Sequence, residues 1–330
     1  MRAARAAVVT LADSMRGSRV NRLAIRSVRG AYVAMPVLTL LWGGNWLVMK
    51  FALRHADPVT YNIHRTLVAI AALFAVLVFL RRPLLPGSWR AVAITGFFQT
   101  TINRFATAMA LAEGGVGRTA VLVFTMPFWT ILIAWPVLHE RLRGTQWLAV
   151  GLAFAGLTLI VEPWNWGGAL APKAWAVLSG LGWGAGTIAI KYFQRGKSFD
   201  MVNLMAWQMA IGILPILLIP LAQPLPGAAW SGVYGLLLLY TGALSTALGF
   251  VLWTAVLRWV PAGTASLSML AIPIIALVSS MIVFAERLSA PEWIGIACVG
   301  AGLVVISVLA WRSSREGRRA GDGPPLLDGG

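Results

Sequence analysis

Apolar stretches of about 20 residues follow one another along this chain from Ala31 to Trp311, each ended by a short charged or Pro/Gly-containing link. A helix of about 20 residues spans the roughly 30 Å hydrocarbon core of a bilayer. The pattern therefore predicts an all-α membrane protein with ten transmembrane helices. We place the helices at residues 31–53, 58–80, 90–112, 117–137, 144–161, 173–193, 200–221, 229–256, 263–283 and 291–311.

The composition favours a membrane protein over a soluble domain or an enzyme. Apolar residues make up 58% of the 330 positions and charged residues only 12%, which leaves too little polar surface to cover a soluble fold. The single cysteine, Cys298, lies inside an apolar run, which indicates a packing role. The three histidines are scattered and no HExxH pattern is present. We therefore expect no enzymatic activity, no cofactor and no metal site.

The distribution of positive charge predicts the orientation in the membrane. A net charge of +16 would suit nucleic-acid binding, but Lys and Arg are concentrated in alternate links. With the N-terminus in the cytoplasm, the cytoplasmic links and tails hold about four times as many Lys and Arg as the opposite side. This predicts a multi-pass protein of the cell inner (plasma) membrane with both termini cytoplasmic. Its partners would be the lipid bilayer and a small-molecule substrate, not nucleic acid, and a homodimer is left open.

The second half of the chain repeats the first. At one constant offset, Pro127, Glu140-Arg141-Leu142, Trp147 and Gly156 recur as Pro273, Glu286-Arg287-Leu288, Trp293 and Gly302. Likewise, Trp42-Gly43 followed by Lys50 recurs as Trp183-Gly184 followed by Lys191, and Thr100 recurs as Thr246. Five helices is an odd number, so the two halves must lie inverted in the membrane. Inverted repeats suit alternating access about a site near the midplane.

These motifs resemble the EamA-type branch of the drug/metabolite transporter superfamily. The resemblance rests on Leu41-Trp42-Gly43-Gly44-Asn45 and on the two Pro…Glu-Arg-Leu…Trp…Gly blocks, and it covers residues 31–311. It implies a proton- or gradient-driven carrier of amino acids, sugars, nucleotide derivatives or toxic cations. The expected organisation is a basic cytoplasmic tail (1–30), a first EamA-like repeat (31–161), a linker (162–172), a second repeat (173–311) and a disordered tail (312–330). Whether residues 1–30 belong to the translated protein stays open, because Met15 offers a later start.

Arg104 is the leading candidate for substrate binding. It follows Asn103 in an unusually polar part of the third predicted span, and its repeat equivalent is Phe250. An ionisable residue inside a membrane span indicates function by default. A guanidinium suits a carboxylate or phosphate, so an anionic or zwitterionic substrate is expected. The alternative is an arginine that extends to the interface or pairs within the protein.

Further candidates lie on the first, sixth and eighth predicted spans. Trp42, Asn45 and Trp46 can form an aromatic and amide wall, since Trp42 and Trp46 are four residues apart on one helical face. The additional substrate-binding candidates are Trp183, Thr246 and Trp253. Helix packing is the alternative role for all of them.

A last group of residues fits gating or structural roles. Lys50 and Lys191 end their helices, where a cation interacts favourably with the helix dipole. Glu140 and Glu286 lie between helices, where a carboxylate can cap the following helix or pair with the next Arg. The mid-span prolines Pro127 and Pro273 are expected to kink their helices. Arg65 and His64, near the start of the second span, leave the same choice between gating and structure.

The sequence thus predicts a secondary transporter for a small polar metabolite, most simply an amino acid or a related carboxylate. Its cavity would be lined by the first, third, sixth and eighth helices. The alternatives are an exporter of drugs or amphipathic, lipid-like compounds, or a non-transporting membrane receptor or scaffold. No Asp or Glu lies at mid-depth in any predicted span, which disfavours an acid-based cation exporter.

Overall fold

A computed structural model describes residues 28–139, 144–162, 170–195, 200–256 and 269–319. Over these ranges the chain is helical and forms no strand. The elements of the first half are α1 (Val28–Ala52), α2 (Pro58–Phe79), α3 (Trp89–Gly96), the π-helical segment π1 (Phe97–Ile102), α4 (Asn103–Glu113), α5 (Val116–Val123), α6 (Met126–Leu138) and α7 (Gly144–Val161). Those of the second half are α8 (Leu170–Gln194), α9 (Met201–Gly212), α10 (Leu214–Leu217), α11 (Ile219–Ala222), α12 (Gly232–Leu238), the π-helical segment π2 (Leu239–Leu248), α13 (Gly249–Val256), α14 (Ala271–Phe284) and α15 (Ala290–Arg319).

Within the described ranges, seven helical stretches have the length and apolar character needed to cross a bilayer. They are Gly30–Ala52, Pro58–Phe79, Val116–Leu138, Gly144–Val161, Met201–Ala222, Gly232–Trp253 and Ala290–Leu309. The chain is therefore a multi-pass membrane protein. The other three predicted spans correspond to helical residues 89–113, to α8 and to α14. The first two carry more polar side chains, and α14 is shorter.

Matching caps begin equivalent helices of the two halves. Asp57 accepts the backbone N–H groups of the second and third residues after it at the start of α2, at 2.9 and 3.0 Å. Asp200 does the same at the start of α9, at the same two distances. Ser88 and Ser231 cap α3 and α12 in the same paired way. An N-cap side chain supplies an acceptor that the first helical turn lacks, so these four residues fix where the helices begin in both halves.

The third helical stretch of each half contains a π-helical segment. In the first half π1 separates α3 from α4, and in the second half π2 separates α12 from α13. The repeat partners Thr100 and Thr246 lie in π1 and π2 respectively. A π segment is rare and is found frequently at functional sites, because it leaves backbone groups free for other contacts. Its presence in both halves marks the same region of each repeat.

Glycines allow the fifth helical stretches of the two halves to pack at short range. A Cβ placed on Gly156 of α7 would collide with the Gly295 carbonyl oxygen of α15, and a Cβ on Gly295 would lie 2.7 Å from the Gly156 carbonyl oxygen. Small residues permit such close approach of membrane helices. The pairing of α7 with α15 therefore depends on these two positions.

The fourth helical stretches end in the same way in both halves. His139 follows α6 and Ala285 follows α14, and both have left-handed backbone conformations, with φ of 56° and 50°. The N–H of His139 donates to the Ala134 carbonyl, and that of Ala285 donates to the Ser280 carbonyl. These turns lead directly to Glu140, which lies outside the described residues, and to Glu286.

The structure places both prolines in the first turn of a helix. Helix is interrupted between α5 and α6 at Phe124–Thr125, and Pro127 lies in the first turn of α6. Pro273 lies in the first turn of α14 as described. A proline in a first turn removes an N–H that has no helical partner anyway. The break at Phe124–Thr125 lies inside the Val116–Leu138 stretch, so Pro127 closely follows an irregular point in that span, whereas residues 257–268 before α14 lie outside the described part of the chain.

The last helix is longer than the sequence pattern predicts. It continues through Arg319, well past residue 311. Residues 312–319, expected to belong to a disordered tail, are therefore helical. Residues 320–330, and residues 1–27 of the basic tail, lie outside the described part of the chain.

Candidate functional site

A cavity of about 200 Å³ lies between the two halves. Its walls come from the first, second, third, fourth, sixth, eighth and ninth helical stretches, which is a larger set than the sequence predicted. The lining residues are Trp42, Asn45, Trp46, Met49, Arg65, Asn103, Arg104, Thr107, Val123, Phe124, Met126, Trp183, Ser245, Thr246, Phe250, Met269 and Ile272.

Arg104 is buried in the cavity wall, with 8% of its surface exposed. It lies in the first turn of α4, immediately after π1, so the irregular helix sets the direction of its side chain. Its Nη2 donates to Thr246 Oγ1 at 3.2 Å, and Thr246 Oγ1 donates in turn to the Thr241 carbonyl at 2.8 Å. Its Nη1 is buried without a hydrogen-bond partner among the described residues. One donor of this guanidinium is therefore left for a ligand.

Arg65 of α2 lines the same cavity and is equally buried. Its Nε points to the Thr241 carbonyl at 3.5 Å, so this arginine, like Arg104, reaches toward π2. The sequence left Arg65 between gating and structure because it lies near the start of its span. Arg65 lies within the second span and lines the cavity. An ionisable residue inside a span is expected to have a functional role, and this expectation was more informative than its position near the span end.

Aromatic rings form much of the remaining wall. Trp183 and Phe250 stack with their planes 16° apart and centroids 6.4 Å apart. Trp42 meets the edge of Phe250 at 6.2 Å, and its Nε1 donates to the Ser245 carbonyl of π2 at 2.8 Å. Trp46 lies 6.5 Å from Phe124 on another side. Trp253, also predicted, packs behind Trp42 at 6.0 Å and does not line the cavity.

Two amides complete the polar part of the wall. The Asn45 side chain donates from Nδ2 to Met49 Sδ at 3.1 Å, while its Oδ1 is buried without a partner among the described residues. Asn103 instead donates to both the carbonyl oxygen and the hydroxyl oxygen of Ser179, at 3.0 and 2.8 Å. The Asn103 amide nitrogen therefore holds α4 against α8, whereas the Asn45 amide retains spare hydrogen-bonding capacity.

The structure brings most of the predicted binding residues together at this cavity. Trp42, Asn45, Trp46, Asn103, Arg104, Trp183 and Thr246 all line it. The lining residues that sequence reasoning did not single out are Thr107, Ser245 and a set of apolar residues. An apolar residue inside a span carries no signal that separates a cavity wall from ordinary packing. Phe250 was noted only as the repeat partner of Arg104.

Lys50 and Glu286 lie away from the cavity, at the end of the bundle where α4 and α14 end and α5 begins. We call this region the Glu286 end. Lys50 Nζ donates to the carbonyls of Leu111, Ala112 and Gly114, at 2.5, 3.1 and 2.9 Å. Lys50 thus caps the C-terminal end of α4, where a cation is favoured by the helix dipole. Its repeat partner Lys191 lies in the last turn of α8 and is exposed.

Glu286 contacts a different helix from the one the sequence suggested. Its Oε2 accepts the backbone N–H of Gly117 at 2.9 Å, and its Oε1 accepts that of Arg118 at 3.2 Å. It therefore caps α5 of the first half. The helix that follows it, α15, begins with a capping box, in which Ser289 Oγ accepts the Glu292 N–H and the Glu292 carboxylate accepts the Ser289 N–H. The partners of Glu286 are determined by packing between residues far apart in the sequence. They therefore cannot be inferred from the residues next to it.

The electrostatic character of the cavity is positive. Arg65 and Arg104 line it, and their charges interact. No Asp or Glu is among the described residues that line it, and neither arginine forms an ion pair with a described acid. Among the described residues, no three of His, Cys, Asp and Glu come together in a way that would hold a metal ion. The cavity can therefore attract a negatively charged group by direct contact with guanidinium.

Comparison with known proteins identifies the family. Two stretches of the chain, residues 29–162 and 172–308, each match the EamA-like transporter family, so the family domain is duplicated. A probable amino-acid metabolite efflux pump of Salmonella typhimurium is 27% identical to the chain over 89% of its length and over 100% of the relative. The uncharacterized transporter YoaV of Bacillus subtilis is 25% identical over 81% of the chain and 92% of the relative.

A protein of known crystal structure shares the fold. It superposes with a TM-score of 0.60 at 17% sequence identity, over 87% of this chain and 98% of its own. The relatives are named as transporters and efflux pumps, not as enzymes. The two family matches together cover most of the chain, and the chain belongs to the EamA-like transporter family.

Proposed function

We propose that this membrane transporter moves a small polar metabolite, an amino acid or a related carboxylate, across the inner membrane by alternating access. The proposal includes ten spans arranged as two inverted five-helix repeats, with both termini in the cytoplasm. The described helices and the duplicated family domain support this arrangement. The excess of Lys and Arg in alternate links supports the orientation.

The observation that carries the proposal is the free donor of Arg104 in a cavity shared by both halves. Burying a guanidinium at membrane depth is costly unless its donors are used. Nη2 is occupied by Thr246, while Nη1 has no partner among the described residues. A carboxylate is the natural acceptor for such a group. The name of the Salmonella typhimurium relative, an amino-acid metabolite efflux pump, points to the same class of compound.

The size of the cavity favours a small metabolite over a drug or a lipid. Sites for drug-sized ligands enclose roughly 300–1,000 Å³, whereas this cavity has about 200 Å³. Its aromatic walls would suit an amphipathic compound, which keeps export of drugs or lipid-like molecules as the second candidate. Burying two arginines in a membrane protein costs free energy, and a neutral lipid carries no negative charge to offset that cost.

Contacts at the Glu286 end support alternating access. Glu286 of the second half holds the start of α5 in the first half, through Gly117 and Arg118. In the proposed orientation this end faces away from the cytoplasm, so the contact closes the cavity on that side. A site shared by two halves can open to the other side only if such a contact breaks.

Reconstitution tests the function directly. Purified protein in proteoliposomes would be loaded with unlabelled compound and assayed for counterflow of labelled amino acids, organic acids, sugars and organic cations. We expect saturable exchange of amino acids or carboxylates. Exchange restricted to organic cations or lipid-like drugs, or no exchange of any class, would overturn the proposal.

Sidedness of the links tests the inverted arrangement. Tags placed beside Arg141 and beside Arg287 occupy equivalent positions of the two repeats. We expect the tag at Arg141 to be reached only from the cytoplasm and the tag at Arg287 only from outside. Finding both tags on the same face would rule out inversion.

A further inference from the structure

The charge balance of the cavity narrows the class of substrate. Its lining includes two guanidinium groups, on Arg65 and Arg104, and no carboxylate from the described residues. Both arginines are more than nine-tenths buried. Two positive charges of this kind in a membrane protein need a counter-charge, and a bound substrate can supply it.

The donors available to a ligand lie on one side of the cavity. Arg104 Nη1 has no partner among the described residues. The Arg65 guanidinium makes one long contact from Nε, at 3.5 Å, and its terminal nitrogens form no hydrogen bond or ion pair with a described residue. Both side chains reach toward Thr241 and Thr246 of π2. A carboxylate placed beside π2 can therefore contact both guanidiniums.

The aromatic part of the wall suits an apolar body. Trp183 and Phe250 stack there, and Trp42 contacts Phe250 edge to face. Flat rings stack favourably against such surfaces. An aromatic or branched substituent on such a carboxylate would lie against these rings.

An ammonium group has little to hold it in this cavity. No carboxylate of the described residues lines it, and turning the Asn45 amide about its last torsion would present a donor in place of its buried, unpartnered Oδ1. An α-ammonium beside the bound carboxylate would stand about 6 Å from a guanidinium. At that distance two like charges weaken binding by roughly 100-fold for an effective dielectric constant of about 20.

We infer that the cavity selects an organic anion that pairs a carboxylate with an aromatic or branched apolar body and has no free ammonium, such as a 2-oxo acid or an N-acylated amino acid. The inference rests on the proposed transport function and narrows its substrate class. Arg65 acts with Arg104 as a determinant of this charge preference. The zwitterionic amino acid with the same side chain is a weaker ligand.

Four compounds that share one ring separate the effect of the ligand's charge from the effect of its shape. The probes are phenylpyruvate, N-acetylphenylalanine, phenylalanine and phenethylamine, which share the phenyl ring and differ in their charged groups. Binding to purified full-length protein would be measured by calorimetry, and counterflow would be measured in parallel. We expect the two anions to bind at least tenfold more tightly than phenylalanine, and phenethylamine not to bind.

Variants assign the preference to Arg65. Arg65→Gln should reduce the ratio of phenylpyruvate to phenylalanine affinity by about tenfold, while Arg65→Lys should keep most of it. Arg54→Gln removes one positive charge from an exposed position outside the cavity and should leave the ratio unchanged. A thermal melt of each variant checks folding, and Arg65→Met, which also removes the charge, replaces the Gln variant if that variant does not fold.

The outcomes separate the two proposals. Phenylalanine binding as tightly as phenylpyruvate, with saturable counterflow of phenylalanine, would overturn the charge preference and leave transport standing. Tight binding of phenylpyruvate without counterflow of any compound would support the charge preference and overturn transport. An unchanged affinity ratio in both Arg65 variants would remove Arg65 from the site.

Discussion

Glu286 Oε2 accepts the backbone N–H of Gly117 at 2.9 Å, which joins the end of a helix in the second repeat to the start of a helix in the first. The same carboxylate also accepts the N–H of Arg118. Gly117 lies against α14 so closely that a Cβ would come within 2.6 Å of Ser280 Oγ. At this point the two halves are joined in two ways. A charged carboxylate accepts hydrogen bonds from a helix N-terminus, and Gly117 packs closely on α14.

Removal of the Glu286 carboxylate should open this end of the protein. Hydrogen bonds to charged groups contribute about 1.5–3 kcal/mol each, and Glu286 accepts two of them, so Glu286→Ala should shift the population toward the outward-open state by about 100-fold or more. The reporter is Met49→Cys in a Cys298→Ala background, since Met49 lines the cavity and is buried. Labelling of intact cells with an impermeant maleimide should be faster by a similar factor.

Glu113→Ala is the matched control for this experiment. Glu113 lies near the same end of the bundle but is exposed, so its removal should leave the labelling rate of Met49→Cys unchanged. Equal rates in the Glu286 and Glu113 variants would show that Glu286 does not hold the cavity closed.

Arg104 should be required for transport. Arg104→Leu removes the donor that has no partner among the described residues and should abolish counterflow. Arg104→Lys keeps the charge but not the planar fork, and should lower counterflow by about tenfold or more. Thr246→Val removes the hydroxyl that holds Nη2 and is expected to weaken transport less. Normal counterflow in both Arg104 variants would exclude the residue from the site.

Lys50 should stabilise the folded protein. It donates to three carbonyls at the end of α4, so Lys50→Met leaves these acceptors without their donor and should destabilise the protein by about 1–3 kcal/mol. Thermal unfolding in detergent measures the change. The repeat partner Lys191 is exposed, so Lys191→Met should cost less. A larger loss for Lys191→Met would contradict this assignment.

Gly156 should tolerate no side chain, unlike a neighbouring glycine of the same helix. A Cβ at Gly156 would collide with the Gly295 carbonyl and lie 2.9 Å from Val299 Cγ2, whereas nothing lies within 4 Å of a Cβ at Gly151. Gly156→Ala should therefore destabilise the protein by about 1–3 kcal/mol. Gly151→Ala should be neutral or slightly stabilising, since alanine favours helix. Equal melting temperatures for the two variants would argue against close packing of α7 on α15.

The helical class and the duplication can be predicted from the sequence because each produces a recognisable pattern along the chain. Apolar runs determine where helices can cross a bilayer, and the recurrence of Glu140-Arg141-Leu142 as Glu286-Arg287-Leu288 reveals the repeat. Arg104 is conspicuous for a physical reason, since a charge within a span is costly. These signals need no knowledge of how the helices pack.

Other features depend on packing and cannot be read from the chain. The partner of Glu286 lies 169 residues away, at Gly117, and no local pattern connects them. No local sequence pattern separates the π segments from ordinary helix, so their hydrogen-bonding pattern is visible only in three dimensions. Arg65 lies near a span end in the sequence, and only the crossing of α2 with π2 brings it to the cavity.

The cavity walls are divided between the two repeats in a way that makes neither repeat sufficient alone. Both guanidiniums belong to the first, while Thr246 and the stacked Trp183–Phe250 pair belong to the second. A separately expressed N-terminal fragment would retain the cations but lose the hydroxyl and the rings that complete the wall. Activity in a split protein would therefore require the fragments to reassociate, and it would rise with the concentration of the scarcer fragment.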